Sequence, residues 1–209
     1  MALHDGRDVV ASQTAVDARR HGELLAPAIH AVLAGAGAWQ GDLTAVAVGV
    51  GPGPYTGLRA GLVTAQVFGS TLGIPVHGVC TLDIIAAQAR HAAAGREFAV
   101  ATDARRREVY WARYSPDGQR LCGPLVGLPA EVAARLPAGS PVAGQGAQLY
   151  SELAAEIIGP AYPDAADLAR IAADRIAGGL PAEPAEPLYL RRPDAREPGK
   201  PKRVTPGQV

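Results

Sequence analysis

The chain has 209 residues, of which 48% are hydrophobic and 19% charged, and its 20 basic residues balance its 20 acidic ones. This length allows one large or two small domains with a substantial core, and the composition excludes a disordered chain. The zero net charge provides no bulk attraction to nucleic acid, and no apolar run reaches the ~18 residues of a membrane span. The two cysteines, Cys80 and Cys122, lack zinc-site spacing, and the N-terminal residues lack a signal-peptide pattern. A cytoplasmic protein is expected.

The first part of the chain alternates strand-like and helix-like segments. Apolar residues recur at the i, i+3, i+4 spacing of one helix face within residues 19–33, whereas residues 43–50 form the continuous apolar run of a strand covered on both faces. In chain order, the patterns predict a weak strand over 8–16, a helix over 19–33, a strand over 43–50, a helix over 58–72, a strand over 74–79 and a helix over 81–91.

The later part of the chain changes character, with consecutive strands joined by turns. The patterns predict strands over 98–103, 108–114 and 119–126, then a helix over 130–135, a strand over 141–143, and helices over 148–158 and 164–177. Beyond Gly178 prolines alternate with charges, so we expect 188–190 to dock as an extended segment and the rest to be mobile. This order predicts α/β subdomains over 1–95 and 96–180, followed by a proline-rich tail over 181–209.

A glycine-rich stretch, GVGPGPYTGLRAG, joins a predicted strand to a predicted helix at residues 49–61. It matches neither the Walker loop nor the dinucleotide fingerprint. Pro52 and Pro54 also remove two of the backbone N–H groups that a phosphate cradle would use. A rigid strand-to-helix turn is the favoured interpretation, and an anion site is the alternative.

The helix after this stretch has almost no charge. Arg59 is the only ionisable residue between Gly57 and Gly73, so the helix has no continuous polar face. Gly61, Ala65 and Gly69 form a stripe of small residues that would let another helix approach closely. Both a central core helix and a protein interface fit this pattern.

Three segments in the right order resemble the bacterial TsaB (YeaZ) family: GPGPYTGLRAGLV at 51–63, LGIPVHGVCTLD at 72–83 and DARRREVYWARY at 103–114. The likeness runs from His21 to Arg191. It implies an α/β fold of the actin, Hsp70 and sugar-kinase type (ASKHA), with two related subdomains built on mixed sheets. Against the family pattern the first strand is missing, because the chain begins directly before His4-Asp5-Gly6. We therefore expect an open sheet edge and a true start codon upstream.

The resemblance also implies a function. Such proteins are non-catalytic scaffold and dimerisation subunits of the complex that transfers threonylcarbamoyl to the tRNA adenosine beside the anticodon. The implied partners are a TsaD-like catalytic subunit, a TsaE-like ATPase, a second copy when alone, and tRNA through the complex. ATP or ADP and a divalent metal are expected on the TsaD-like partner, and no cofactor is expected here. The family's pairing surface corresponds here to Leu25, Ile29, Leu58, Gly61, Leu62, Ala65 and Gly69.

Other chemistry is less well supported by the residues. An independent nucleotide-binding kinase or hydrolase of the same fold would use the glycine-rich stretch and Asp103, although Asp103 also fits a turn cap. A glycoprotease-like peptidase lacks paired metal-ligand histidines, and Cys80 fits a small buried hydrophobe better than a nucleophile. Arg105, Arg106 and Arg107 could contact RNA or an acidic partner, or form a solvated turn.

Overall fold

A computed structural model describes residues 1–15 and 20–191 of the protein. The mobility predicted for residues 192–209 falls outside these ranges. In chain order the elements are β1 (Ala2–His4), β2 (Val9–Ser12), α1 (His21–Gly35), β3 (Val46–Gly51), α2 (Tyr55–Leu72), β4 (Val76–Cys80), α3 (Thr81–Ala89), β5 (Phe98–Asp103), β6 (Val109–Tyr114), β7 (Arg120–Gly127), α4 (Pro129–Ala133), β8 (Val142–Ala143), α5 (Gln145–Leu149), β9 (Ile157–Ile158) and α6 (Ala165–Ala177). None of the described helices combines the length and apolar character needed to cross a bilayer.

Two small sheets form the first part of the molecule. β1 and β2 pair antiparallel around a turn in which Asp5 Oδ1 accepts the backbone N–H groups of Arg7 and Asp8, each at 2.8 Å. β3 and β4 pair parallel, and within residues 1–15 and 20–191 no ladder joins β1 to β3. The prediction that β3 is covered on both faces is confirmed, because α2 lies against the face of Val48 and α6 against the face of Gly49, although residues 46–50 are only half-buried. One edge of β3 pairs with β4, and no described strand pairs with the other.

The second part is a five-stranded mixed sheet in the order β7-β6-β5-β8-β9. Because side chains alternate along a strand, Phe98 and Val100 face α3, whereas Ala99 and Ala101 face the α4 and α5 side. The helix predicted over 148–158 is wrong. α5 ends at Leu149, and Ile157–Ile158 instead form the edge strand β9 beside β8.

Helices cross between the two parts. α3 packs on β5, β6 and β8 as well as on β3 and β4, and α6 packs on all four strands of the two small sheets. Mixed α/β packing of this kind bears out the predicted α/β class. The subdomain boundaries 1–95 and 96–180 remain a prediction, because each of these two segments contributes a helix that packs on the sheets of the other.

An extended segment, residues 181–191, runs over the first part of the molecule and is called the strap below. The N–H of Gly78 donates to the carbonyl oxygen of Glu183 at 2.9 Å, and the N–H of Leu188 donates to that of Val50 at 2.8 Å. At its end, the Arg191 guanidinium donates to the Ala104 carbonyl oxygen at 2.9 Å. Docking of 188–190 is therefore confirmed, and the strap links β3 and β4 to the loop after β5.

Candidate functional site

The glycine-rich stretch is a tight turn between β3 and α2. Gly51 has φ +95°, and a Cβ at this position would lie 3.1 Å from Leu58 Cδ2, so the turn requires glycine here. Pro52 is fully buried. The carbonyl oxygen of Leu188 lies 3.5 Å from the same Cβ position. The strap therefore places an acceptor group at the Gly51 end of this turn, whereas Pro54, Tyr55 and Thr56 are exposed.

The first turn of α2 is held to the strap by an aromatic cluster. The rings of Tyr55 and Tyr189 stack at a centroid distance of 5.4 Å. Arg59 Nε donates to the Tyr189 hydroxyl at 2.9 Å, and its guanidinium carbon lies 4.1 Å from the centre of the Tyr55 ring. This hydrogen bond raises the pKa of Arg59 above its usual value. Arg59, the only charged residue of α2, therefore contacts residues of this same chain.

The predicted interface residues divide into two groups. Leu25, Ile29 and Leu58 are half-buried on α1 and α2, which pack against each other. Leu62, Ala65 and Gly69 are buried and Gly61 is half-buried. A Cβ at Gly61 would lie 3.9 Å from Val48 Cγ2, and one at Gly69 would overlap Val76 Cγ2. The small-residue stripe therefore faces β3 and β4 rather than an approaching partner. The role of these residues in a contact surface stays a prediction, and in this structure the close approach that the small side chains allow is used by the sheet.

Both helices nevertheless expose apolar side chains on their outer faces. Val63 and Val67 of α2 are 58% and 57% exposed. On α1 the exposed residues include Ala26 and Ala31, and the only carboxylate or guanidinium along that helix is Glu23. We call these surfaces the α1–α2 face, defined by Ala26, Ala31, Val63 and Val67. Neighbouring surface helices so poor in charge are typical of protein contacts.

A half-buried ionic cluster lies where α3 meets the five-stranded sheet. The Tyr114 hydroxyl donates to Asp83 Oδ1 at 2.8 Å, and Arg120 approaches the two carboxylate oxygens at 3.3 and 3.2 Å. Burial raises the pKa of Asp83, and the hydrogen bond from Tyr114 opposes that rise. Burial, with Asp83 nearby, also raises the pKa of Cys80. Such a thiol stays protonated near neutral pH and is a poor nucleophile.

The turn between β5 and β6 carries the three consecutive arginines. Asp103 Oδ1 accepts the N–H of Arg105 at 2.9 Å, which confirms its interpretation as a turn cap. Arg105, Arg106 and Arg107 have φ values of 60°, 56° and 59°, and all three are exposed. A run of three non-glycine residues in the left-handed region could not be read from the sequence.

Metal-ligating side chains do not cluster in the part of the chain that the structure describes: His, Cys, Asp and Glu form no group of three there. His77, on β4, is buried, and Cys80 is the N-cap residue of α3 without a capping hydrogen bond from its side chain.

Solved structures with the same fold come from Pseudomonas aeruginosa. One, described as an uncharacterized protein with similarity to peptidase YEAZ, superposes with a TM-score of 0.76 and 30% identity, covering 90% of this chain and 92% of the other. A structure described as YeaZ superposes with a TM-score of 0.73 and 31% identity over the same shares. The arrangement of sheets and helices is therefore the mixed α/β fold of YeaZ-like proteins.

Sequence comparisons lead to the same family as the structural ones. The family model "TsaD: tRNA N6-adenosine threonylcarbamoyltransferase" matches residues 8–177. A protein of Mycobacterium tuberculosis, described as uncharacterized, is 48% identical over 189 residues, covering 90% of this chain and 83% of the relative. The Escherichia coli tRNA threonylcarbamoyladenosine biosynthesis protein TsaB is 36% identical over 99 residues, which cover 47% of this chain and 43% of TsaB. The chain belongs to the family of this model and, within it, to the TsaB (YeaZ) proteins.

Proposed function

We propose that this protein is a non-catalytic subunit of a complex that places threonylcarbamoyl on the tRNA adenosine beside the anticodon. The names of its relatives support the process: TsaB of Escherichia coli and of Bacillus subtilis are called tRNA threonylcarbamoyladenosine biosynthesis proteins. The family model, named for the transferase TsaD, supports a TsaD-like partner.

The α1–α2 face is the observation that carries the scaffold role. Val63 and Val67 stand more than half exposed on a helix whose only charge is already bound to Tyr189. Covering each valine would remove apolar area from water, which stabilises association by about 25 cal/mol per Å² before the entropy of association is subtracted. We propose that this face binds the TsaD-like subunit, and that it binds a second copy of the chain when the partner is absent.

The chemistry of the reaction is assigned to the partner. Pro52 and Pro54 leave the glycine-rich turn with fewer N–H donors for a phosphate, and the raised pKa of Cys80 makes that thiol a poor nucleophile. We therefore propose that ATP or ADP and a divalent metal bind to the TsaD-like subunit. We further propose that a TsaE-like ATPase completes a cytoplasmic complex.

Charged substitutions on the α1–α2 face test this proposal. Val63→Asp and Val67→Asp should leave folding intact, because both side chains are exposed, but should bury an unpaired carboxylate in the complex. An anchor residue of an interface contributes about 2–4 kcal/mol, so each change should weaken partner binding by about 30- to 1,000-fold. Leu149→Asp is the matched control, since Leu149 is 53% exposed on α5.

Two measurements read out the result. Calorimetric titration with the purified TsaD-like subunit gives the affinity, and a reconstituted assay follows tRNA modification with each variant added back. We expect the valine variants to bind the partner weakly and not to restore tRNA modification, and we expect Leu149→Asp to behave like the wild type in both measurements. Wild-type affinity in folded Val63→Asp and Val67→Asp would show that this face is not the contact surface. Modification of tRNA in the absence of this protein would contradict the proposed function.

A further inference from the structure

Four exposed side chains form one ridge along the outer side of α2. Tyr55, Arg59, Val63 and Val67 follow one another at intervals of four residues, the spacing at which helical side chains lie one above the other. Tyr55 is 47% exposed, and Arg59 is exposed as well. The ridge therefore continues the apolar surface of the two valines to the first turn of the helix, where it ends in an aromatic ring and a guanidinium group.

The strap lies beside this ridge and widens it. Gln66 Nε2 donates to the carbonyl oxygen of Ala185 at 3.0 Å, and the Tyr189 ring stacks on Tyr55 while it remains 41% exposed. Every third residue from 181 to 187 is proline, which restricts the backbone that carries Tyr189. Because a side chain that is already ordered loses little entropy on binding, this tyrosine is suited to a contact surface.

Arg59 is held in place and still has unused hydrogen-bond donors. Its Nε donates to the Tyr189 hydroxyl, and its guanidinium carbon lies 4.1 Å from the centre of the Tyr55 ring and 6.0 Å from that of Tyr189. Within residues 1–15 and 20–191, no group accepts a hydrogen bond from its Nη1 or Nη2, and no carboxylate pairs with it. The edge formed by the two Nη groups has the geometry to bind a carboxylate through both oxygens.

A partner that covers the valines of the ridge also comes close to Arg59. Val63 lies about one helical turn beyond Arg59, and Val67 lies one turn further. A cation that is enclosed in an interface without a counter-charge costs a large free energy of desolvation. The partner must therefore supply an acidic group at this end of the ridge. Tyrosine and arginine are also among the residues that contribute most to binding at protein interfaces.

We propose that Tyr55, Arg59 and Tyr189 anchor the contact with the TsaD-like subunit, and that this subunit presents an aspartate or glutamate to the Nη edge of Arg59. The choice of partner rests on the proposed function. Tyr189 is a positioning residue, because its hydroxyl orients the guanidinium group, and the strap is thereby part of the contact surface together with α2. The ion pair also gives specificity, since a partner with a basic residue at that place would be repelled.

A series of substitutions at Arg59 tests the requirement for a carboxylate. In calorimetric titrations with the purified TsaD-like subunit, we expect affinity to fall in the order wild type, Arg59→Lys, Arg59→Gln, Arg59→Glu. Arg59→Gln should bind at least about 30-fold more weakly, because it leaves the carboxylate of the partner unpaired. Arg59→Lys should recover part of this loss through its charge, and Arg59→Glu should bind most weakly because two carboxylates repel each other.

A folding control accompanies this series. Because Arg59 is exposed, the Tm of each variant should stay within about 4 °C of the wild-type value. Arg135→Gln is the matched control for charge, since Arg135 is an exposed arginine outside α2 and the strap, and it should bind the partner like the wild type.

Tyr189→Phe tests the positioning role of the strap. It keeps the ring but removes the hydroxyl that accepts from Arg59, so affinity for the partner should fall about 3- to 10-fold. In the Arg59→Gln background the same change should have no further effect, because no guanidinium group remains to be oriented. Tyr162→Phe is the matched control, since Tyr162 is 48% exposed and its hydroxyl accepts from Gln145 at 2.9 Å.

Each outcome decides one part of the proposal. Wild-type affinity in folded Arg59→Gln overturns the anchor, and equal affinity of Arg59→Gln and Arg59→Glu would show that the acceptor on the partner is not a carboxylate. Additive losses for Tyr189→Phe and Arg59→Gln would overturn the positioning role. If Val63→Asp abolishes binding but Arg59→Gln does not weaken it, this inference fails and the proposed function stands. If binding depends on Arg59 as expected but tRNA modification proceeds without this protein, the proposed function fails alone.

Discussion

Gly61 and Gly69 lie in the same helix, α2, but replacing each with alanine should have opposite effects on folding. A Cβ at Gly61 would meet Val48 Cγ2 at 3.9 Å, an ordinary contact. A Cβ at Gly69 would overlap Val76 Cγ2 and lie 3.0 Å from the carbonyl oxygen of Ile74. Val76 is β-branched and stiff, and the carbonyl belongs to the backbone, so neither neighbour can move aside easily.

The magnitudes follow from these contacts. Alanine is favoured over glycine inside a helix by about 0.5–1 kcal/mol, so Gly61→Ala should raise the free energy of unfolding by that amount. Overpacking costs about 1–3 kcal/mol, which outweighs the same helix gain and leaves Gly69→Ala destabilised by about 0.5–2 kcal/mol. The two variants should therefore differ by about 1–3 kcal/mol, or roughly 3–9 °C in Tm for a chain of this size.

Urea denaturation followed by far-UV circular dichroism measures both free energies, provided that the m-values agree with that of the wild type. Equal stability of Gly61→Ala and Gly69→Ala would refute the packing of α2 on β4 described above. It would also return the small-residue stripe to consideration as a contact surface. Size-exclusion chromatography of both variants checks that assembly is not the cause of any difference.

Two further predictions concern polar contacts that join distant segments. Tyr114→Phe removes the buried hydroxyl that donates to Asp83 and should lower the free energy of unfolding by about 1–3 kcal/mol in urea denaturation, whereas Tyr110→Phe on the same strand should change it little; equal effects would contradict the role of the hydrogen bond. The hydrogen bond from Arg175 lowers the pKa of Glu183 below its usual 4.5, so stability from this pair should be present above pH 4.5 and lost as pH falls through the lower folded-state pKa. Subtracting the pH profile of Glu183→Gln from that of the wild type isolates this contribution, and a flat difference between pH 3 and 6 would count against it.

The apolar pattern of a segment predicts its secondary structure well when the segment's own side chains form the buried surface. Phe98–Asp103 is found at its predicted bounds because its run of apolar residues suits a strand covered on both faces. The segment 148–158 contains helix-favouring residues, yet Ile157 and Ile158 form a strand. The backbone edge of β8, which lies outside this segment, supplies the partners that decide this outcome.

The same reasoning applies to the small-residue stripe of the predicted interface. Periodicity shows that Gly61, Ala65 and Gly69 share one side of α2, but it does not say on which side the sheet lies. Val63 and Val67, which are exposed, were recognisable as the opposite side. The strap was harder to foresee, because its proline-rich composition indicates mobility while its backbone partners, Gly78 and Val50, lie more than a hundred residues earlier.

The order of synthesis gives the strap and α6 a further consequence. The ribosome releases β1 to β4 first, yet the helix that covers these strands and the segment that fixes the start of α2 come after the whole five-stranded sheet. Contacts so distant in sequence form late and slowly. The early strands must therefore wait for residues 165–191 to emerge before their packing is complete, so the protein matures as one unit and not half by half.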